Sequence, residues 1–321
     1  MSVNYRAGVE AAATLMHGHV RYTPCQFSPR LSQMTGAEVY LKLENFQVTG
    51  SFKARGAAHK LLALSQEARS AGVVAASSGN HGAGVAFASK TLEVKARIYV
   101  PEVADPAKIA AIESHGAEVI VEGADCVDAE RAARAFSEAH GQTYISPYND
   151  VEVMLGQGTI GAEIEEQVGT VDAVFVSLGG GGLISGIGGY LKALNPETKA
   201  VACSPEKSPA MHECLLAGQI IDVPCYDTFS DATAGGVEQG AITFATCQDV
   251  IDESLLLSEA EIAEATRSLI DGEHMLVEGA AGLALAGLLK TSERWQGKRV
   301  VVVLCGANIG REKLRQILSE S

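Results

Sequence analysis

Four short segments bring together residue types that could carry chemistry. In KLENFQVTGSFKARGA (42–57) a polar turn, Thr49-Gly50-Ser51, precedes Lys53 and is expected to cap a helix. Lys53 then falls in the first turn of that helix, where the macrodipole disfavours a cation and lowers the pKa of an amine. Such an amine suits a Schiff-base nucleophile, although a solvated surface lysine fits the same spacing. In AASSGNHGAGVA (75–86) an apolar run enters Ser77-Ser78-Gly79-Asn80-His81-Gly82. Small polar residues and glycines at the carboxyl end of a strand can aim main-chain N–H groups at an anion, or form only an ordinary β–α turn. In AVFVSLGGGGLISG (173–186) four consecutive glycines follow an apolar strand. Backbone entropy makes such a run costly, and the missing side chains let N–H groups approach a phosphate. No Lys-Ser or Lys-Thr completes a nucleoside-triphosphate loop here. Ser185 stands where a dinucleotide fingerprint needs glycine, while Glu206 keeps that reading open. The fourth segment, RVVVVLCGANIG (299–310), ends a buried strand in Cys305-Gly306-Ala307-Asn308 and by itself is a core strand with a turn.

These segments need elements to bring them together. Strand signals fall at 38–43, 73–76, 96–100, 118–121, 173–178, 200–203 and 299–305. Amphipathic, Ala-rich helix signals fall between them at 83–90, 106–115, 128–140, 183–194 and 258–272. The alternation predicts an α/β chain with parallel-type sheets and helices on both faces. Three strand–helix alternations between 72 and 148 suggest a small inserted α/β domain, leaving 1–71 and 149–321 as a large one. After the strand at 299–305 only a short helix follows, so no appended regulatory domain is expected.

With 321 residues, 47% of them apolar, the chain can bury a core of that size. Its net charge of −14 opposes phosphate backbones and anionic lipid, so no nucleic-acid or membrane partner is expected. No apolar run approaches the roughly 18 residues of a bilayer span, and the N-terminus lacks a basic start followed by an apolar stretch. A cytoplasmic protein is expected. The seven cysteines are odd in number and widely spaced, with no CxxC and no HExxH, so neither a disulfide framework nor a metal site is expected.

A phosphate cradle, a Schiff-base lysine and two polar strand ends together point to pyridoxal 5'-phosphate, a cofactor that needs all of them. The sequence resembles the fold-type II (tryptophan synthase β-like) pyridoxal-phosphate enzymes, specifically the serine/threonine dehydratase and serine racemase group. The motifs that carry the resemblance span some 260 residues, in order: Gly50 to Ala57, Ser77 to Gly82, Gly156-Gln157-Gly158-Thr159, Gly179 to Leu183, and Cys305 to Asn308. The resemblance implies that Lys53 carries the cofactor as a Schiff base and, once displaced by substrate, takes the Cα proton. It implies that Phe52 flanks the ring, that Asn80 hydrogen-bonds its phenolic oxygen, and that Gly179, Gly180, Gly181, Gly182 and Leu183 hold the phosphate. Ser77, Asn80 and His81 would lie near the substrate carboxylate, and Cys305 would face the pyridine nitrogen. A neutral thiol there leaves the nitrogen largely unprotonated, so a Cα carbanion is less stabilised and expulsion of a β-hydroxyl competes well.

The implied activity is dehydration and deamination of a small L-β-hydroxy amino acid, L-threonine or L-serine by default, to a 2-keto acid and ammonia. Two alternatives share the scaffold. Ser78 stands where the racemase branch places a second base, and a 3-hydroxyaspartate-type dehydratase would need a cation for the distal carboxylate, with Arg131 as the candidate. Two departures from the group stand out. Ser204 and Ala210 occupy the places of the acidic ligands for a stimulating divalent cation, with Glu206 and Glu213 out of register. DATAGGVEQGAITF (231–244) replaces a shorter signature, so Gly235, Gly236 and Glu238 would shape the substrate side differently. A homodimer is the group's usual assembly.

Overall fold

In the computed structural model, which describes residues 3–319, the strand–helix alternation resolves into two sheets. The strands are β1 (Cys25–Phe27), β2 (Glu38–Lys42), β3 (Val73–Ala76), β4 (Ala96–Val100), β5 (Glu118–Val121), β6 (Thr143–Tyr144), β7 (Ala173–Ser177), β8 (Lys199–Pro205), β9 (Glu253–Leu257) and β10 (Arg299–Val303). One sheet runs β1-β2-β10-β7-β8-β9, the other β5-β4-β3-β6. Every pairing is parallel except the edge pair β1–β2. Parallel neighbours cannot be joined by hairpins, so helices make the crossovers and cover both faces. That is why the central strands β7 and β10 read as unbroken apolar runs: β7 is buried throughout, and β10 at every residue after Arg299.

The seven strands expected from the sequence are all present, with ends within two residues. Three were missed. β1 and β6 are only three and two residues long, and β9 is mostly half-buried, so none shows a continuous apolar signal. The Val151–Val168 helix was missed for a different reason. It is packed between the Lys53–Ala63 and Gly182–Leu194 helices and is buried on most of its circumference, which erases an amphipathic stripe.

Glycine makes those crossings possible. A Cβ on Gly56 would lie 2.8 Å from the Val153 carbonyl oxygen, one on Gly156 2.9 Å from the Arg55 carbonyl, and one on Gly158 3.0 Å from that of Gly186. The Gly156-Gln157-Gly158 motif is therefore a helix-crossing device, and Gln157 Oε1 accepts the Gly56 N–H across it at 3.2 Å. The crossing fixes the Lys53–Ala63 helix, and with it the candidate lysine.

One local expectation is corrected. Thr49-Gly50-Ser51 does not cap that helix through a side chain; Phe52 is the N-cap residue, already in helical conformation. The turn instead pairs through its backbone with the loop after β10. Ser51 bridges Gly306, Phe52 N–H donates to the Cys305 carbonyl at 3.0 Å, and Ala307 N–H donates to that of Gly50 at 2.8 Å. Gly50 takes a left-handed φ of 70°, and a Cβ there would press within 2.7 Å of Asn308 Oδ1. Backbone pairing thus seats the lysine segment directly beside Cys305.

Candidate active site

The loops that follow β3, β7 and β10 meet the start of the Lys53–Ala63 helix, the position at which open α/β sheets bind ligands. Lys53 is the first residue of that helix and its Nζ donates to the Pro147 carbonyl at 2.8 Å. Burial pulls its pKa down from 10.5 to about 8, with Cys305 and Glu278 opposing the shift. The ammonium also lies 5.1 Å from the Phe52 ring centroid. The amine is thus buried, oriented and partly deprotonated near neutral pH.

Cys305 is buried at the start of the loop after β10. Its thiol donates to Glu278 Oε1 at 3.7 Å and accepts from Ser177 Oγ at 3.5 Å. Burial is the main cause, and Glu278 a further one, of a pKa raised far above the usual thiol value, so Cys305 stays a neutral thiol. Glu278 has no counterpart among the residues expected from the sequence. It is 1% exposed, and its two carboxylate oxygens accept Asn80 Nδ2 at 3.1 and 2.9 Å. Burial raises its pKa from 4.5 to about 7. Asn80 Oδ1 in turn accepts Asn308 Nδ2 at 2.7 Å. Glu278 therefore joins Asn80 to Cys305, two residues to which the resemblance assigns different atoms of one cofactor ring. Its only sequence signal is a lone acid before the apolar run 279–289, which also fits an ordinary helix N-cap.

The four glycines form the turn between β7 and the Gly182–Leu194 helix, with Gly181 at a φ of 85°. Among the described residues, no protein acceptor meets the N–H groups of Gly179, Gly180, Gly181, Gly182 or Leu183. A Cβ on Gly180 would collide with the Tyr148 ring, and one on Gly181 would lie 2.5 Å from Cys247 Sγ. The loop is a bare cradle of donors at a helix N-terminus, suited to a phosphate.

The Asn80–Thr91 helix offers a second set of free donors, the N–H groups of Ser78, Asn80 and His81 among the described residues. Ser77 Oγ accepts the Gly79 N–H at 3.1 Å and shapes the turn. The His81 side chain is turned away: Nε2 lies 2.8 Å from the Ile145 carbonyl, and burial with the nearby Lys53 charge lowers its pKa to about 3. The neutral ring leaves His81 only its main-chain N–H to offer an anion. Ser78 Oγ is half-buried and makes no hydrogen bond among the described residues.

Arg131, expected as the cation for a distal carboxylate, is corrected. It is 72% exposed and paired with Asp128 along its own helix at 2.9 Å. Arg134, one turn further along the Cys126–His140 helix, reaches segment 231–244 instead and pairs with Glu238 there at 3.0 Å.

Residues 16–306 match the family described as pyridoxal-phosphate dependent enzyme. An L-threonine ammonia-lyase of Thermotoga maritima is 38% identical, over 97% of this chain and 77% of that protein. An L-threo-3-hydroxyaspartate ammonia-lyase of a Pseudomonas species is 36% identical over 96% of each. The structure of maize serine racemase superposes with a TM-score of 0.91 at 30% identity, covering 97% of this chain and 96% of that one. The donor-lined glycine cradle, the buried amine of Lys53 and the thiol of Cys305 fit a phosphate-bearing aldehyde cofactor. The chain belongs to the pyridoxal-phosphate dependent enzymes.

Proposed function

We propose that the protein is a pyridoxal-phosphate-dependent ammonia-lyase acting on a small L-β-hydroxy amino acid, L-threonine or L-serine, to give a 2-keto acid and ammonia. The observation that carries the reading is the pairing of a buried amine of lowered pKa, Lys53, with a neutral thiol, Cys305. The glycine cradle 179–183 would hold the cofactor phosphate, Lys53 its carbonyl carbon, Asn80 its phenolic oxygen and Cys305 its ring nitrogen. When bound, the cofactor supplies an electron sink that acidifies the substrate Cα–H.

The substrate carboxylate would be held by the N–H groups of Ser78, Asn80 and His81 at a helix N-terminus, with the Ser77 turn behind them. Lys53 Nζ, held toward the Pro147 carbonyl, takes the Cα proton. Because Cys305 keeps its proton and carries no charge, electron density left at Cα drives out the β-hydroxyl, which departs as water with the proton that Lys53 Nζ took from Cα. The released enamine tautomerises to an imine. Hydrolysis of the imine consumes one water and yields the 2-keto acid and ammonia.

The reading includes a large unit of 1–71 and 149–321 around a small one of 72–148, a cytoplasmic location and a homodimer. It includes no resident metal. A second reading has one observation in its favour: the half-buried Ser78 hydroxyl has no protein partner among the described residues and could serve as a base on the face of Cα opposite Lys53. In that case Ser78→Ala abolishes racemisation and spares elimination from the L-isomer. The direct test is 2-keto acid release from L- and D-serine, L-threonine, 3-hydroxyaspartate and phenylserine. Keto acid from L-threonine or L-serine is expected. Racemisation of serine with no keto acid from any member would overturn the lyase reading.

A further inference from the structure

Segment 234–241 lies inside the 231–244 stretch and is held by Gly235, whose N–H donates to Ser208 Oγ at 3.1 Å, by the partly buried Val237, and by a cluster of bonds at Glu238. Glu238 Oε1 pairs with Arg134 at 3.0 Å, and Oε2 accepts Asn149 Nδ2 at 2.9 Å. Its main-chain N–H donates to Tyr148 Oη at 3.0 Å. Asn149 Oδ1 completes the seam by accepting the Ile242 N–H at 2.9 Å.

The two ends of these bonds lie on different parts of the molecule. Arg134 belongs to the Cys126–His140 helix, which covers the β5-β4-β3-β6 sheet, and it stacks on Tyr144 of β6 at 4.2 Å. Tyr148 lies against the glycine cradle, in the space that a Cβ on Gly180 would take. The neighbouring residue Pro147 supplies the carbonyl that receives Lys53 Nζ. A chain of direct contacts thus runs from Arg134 through Glu238 and Tyr148 to the cradle and the lysine.

Glycines stand on either side of Glu238. Gly235 and Gly240 bracket Glu238 with φ of 124° and 75°, and open space surrounds both. Glycines at left-handed φ rotate at little steric cost, so side-chain contacts between them, those of Glu238 foremost, help decide where the segment sits.

We propose that Glu238 is a positioning residue: its carboxylate latches segment 234–241 onto Arg134 and so holds Tyr148 and Pro147 at the mouth of the Lys53 site. The latch closes the substrate side and engages Arg134 in two carboxylate pairs, since Glu130 also binds it at 2.7 Å. The significance of Pro147 and Tyr148 rests on the function proposed above. The latch itself does not.

The test is a double-mutant cycle on the holoenzyme with Glu238→Ala, Arg134→Ala and both together. Two readouts are taken: steady-state kinetics, and cleavage within 234–241 by thermolysin without substrate. Each single variant should raise KM roughly 5-fold with kcat within about twofold, and should speed cleavage by a similar factor. The double variant should fall well short of the product of the two singles, because both remove the Arg134–Glu238 pair. Arg134→Lys should restore most of the KM. Effects that multiply in the double variant, or unchanged cleavage in both singles, would overturn the latch. Loss of turnover on every substrate would count against the lyase reading alone, because cleavage still reports on the latch.

Discussion

Lys53 and Glu278 share one pocket, and burial moves their proton affinities in opposite directions. The folded protein binds the Glu278 proton more tightly than the unfolded chain, since its pKa rises from 4.5 to about 7. The stability that Glu278 contributes should therefore be fully present below pH 4.5 and be lost as pH climbs through 7, by about 3 kcal/mol. Lys53 gives the reverse slope in another window: with its pKa lowered to about 8, stability rises from there to 10.5, where the unfolded chain keeps a proton that the folded protein has lost. Urea denaturation of the cofactor-free protein across pH should show both slopes, with Glu278→Gln flattening only the acid one. An unchanged acid slope would mean that Glu278 does not titrate as described. For the reaction, Lys53→Ala should lower elimination by about 10²- to 10⁴-fold or more, measured as 2-keto acid release. At this scale much was legible. Lys53, Asn80, Cys305 and the glycines lie in ordered local motifs, whereas Glu278 reaches the site only through tertiary folding and looks like a helix-capping acid. The sequence points to Arg131 and gives no sign of Arg134, because sequence spacing does not say which turn of a helix reaches segment 231–244.

The elements were legible where burial leaves a simple pattern. Fully buried parallel strands read as apolar runs, and exposed helices as stripes. The Val151–Val168 helix has neither signature, because helices cover it on two sides. Its glycines are informative in hindsight, each marking a helix crossing. The same reasoning applies to the phosphate turn, where Tyr148 fills the space beside Gly180. Gly180→Ala must push that ring aside, an overpacking cost of about 1–3 kcal/mol. Affinity of the cofactor-free protein for pyridoxal phosphate should fall roughly tenfold or more, read by titration of its absorbance. Full affinity in the variant would mean that Tyr148 does not form the wall of the cradle.

Across the whole molecule, a buried ionic cluster fixes the lysine helix to its surroundings. Arg55 pairs with Glu44 at 2.8 Å and with Glu163 at 2.6 Å, while Lys42 meets Glu163 and the Thr23 carbonyl. Two cations and two anions balance, so the cluster is neutral as a set and costly to break. It joins the end of β2, the Lys53–Ala63 helix and the Val151–Val168 helix. Arg55→Met leaves two carboxylates with one cation and should cost about 3–5 kcal/mol in urea denaturation. A change under 1 kcal/mol would show that the cluster does not hold the helices together. Parallel topology and the order of alternation could be anticipated from the sequence; strand order could not, because β10 inserts between β2 and β7 from the far end of the chain.

The central claim is that Lys53 carries the cofactor and does the chemistry. Borohydride reduction of the yellow holoprotein, followed by proteolysis and mass spectrometry, tests it most directly. A phosphopyridoxyl mass on the peptide containing Lys53, and none in Lys53→Ala, is the predicted result. The same mass on a peptide carrying another lysine would contradict the account.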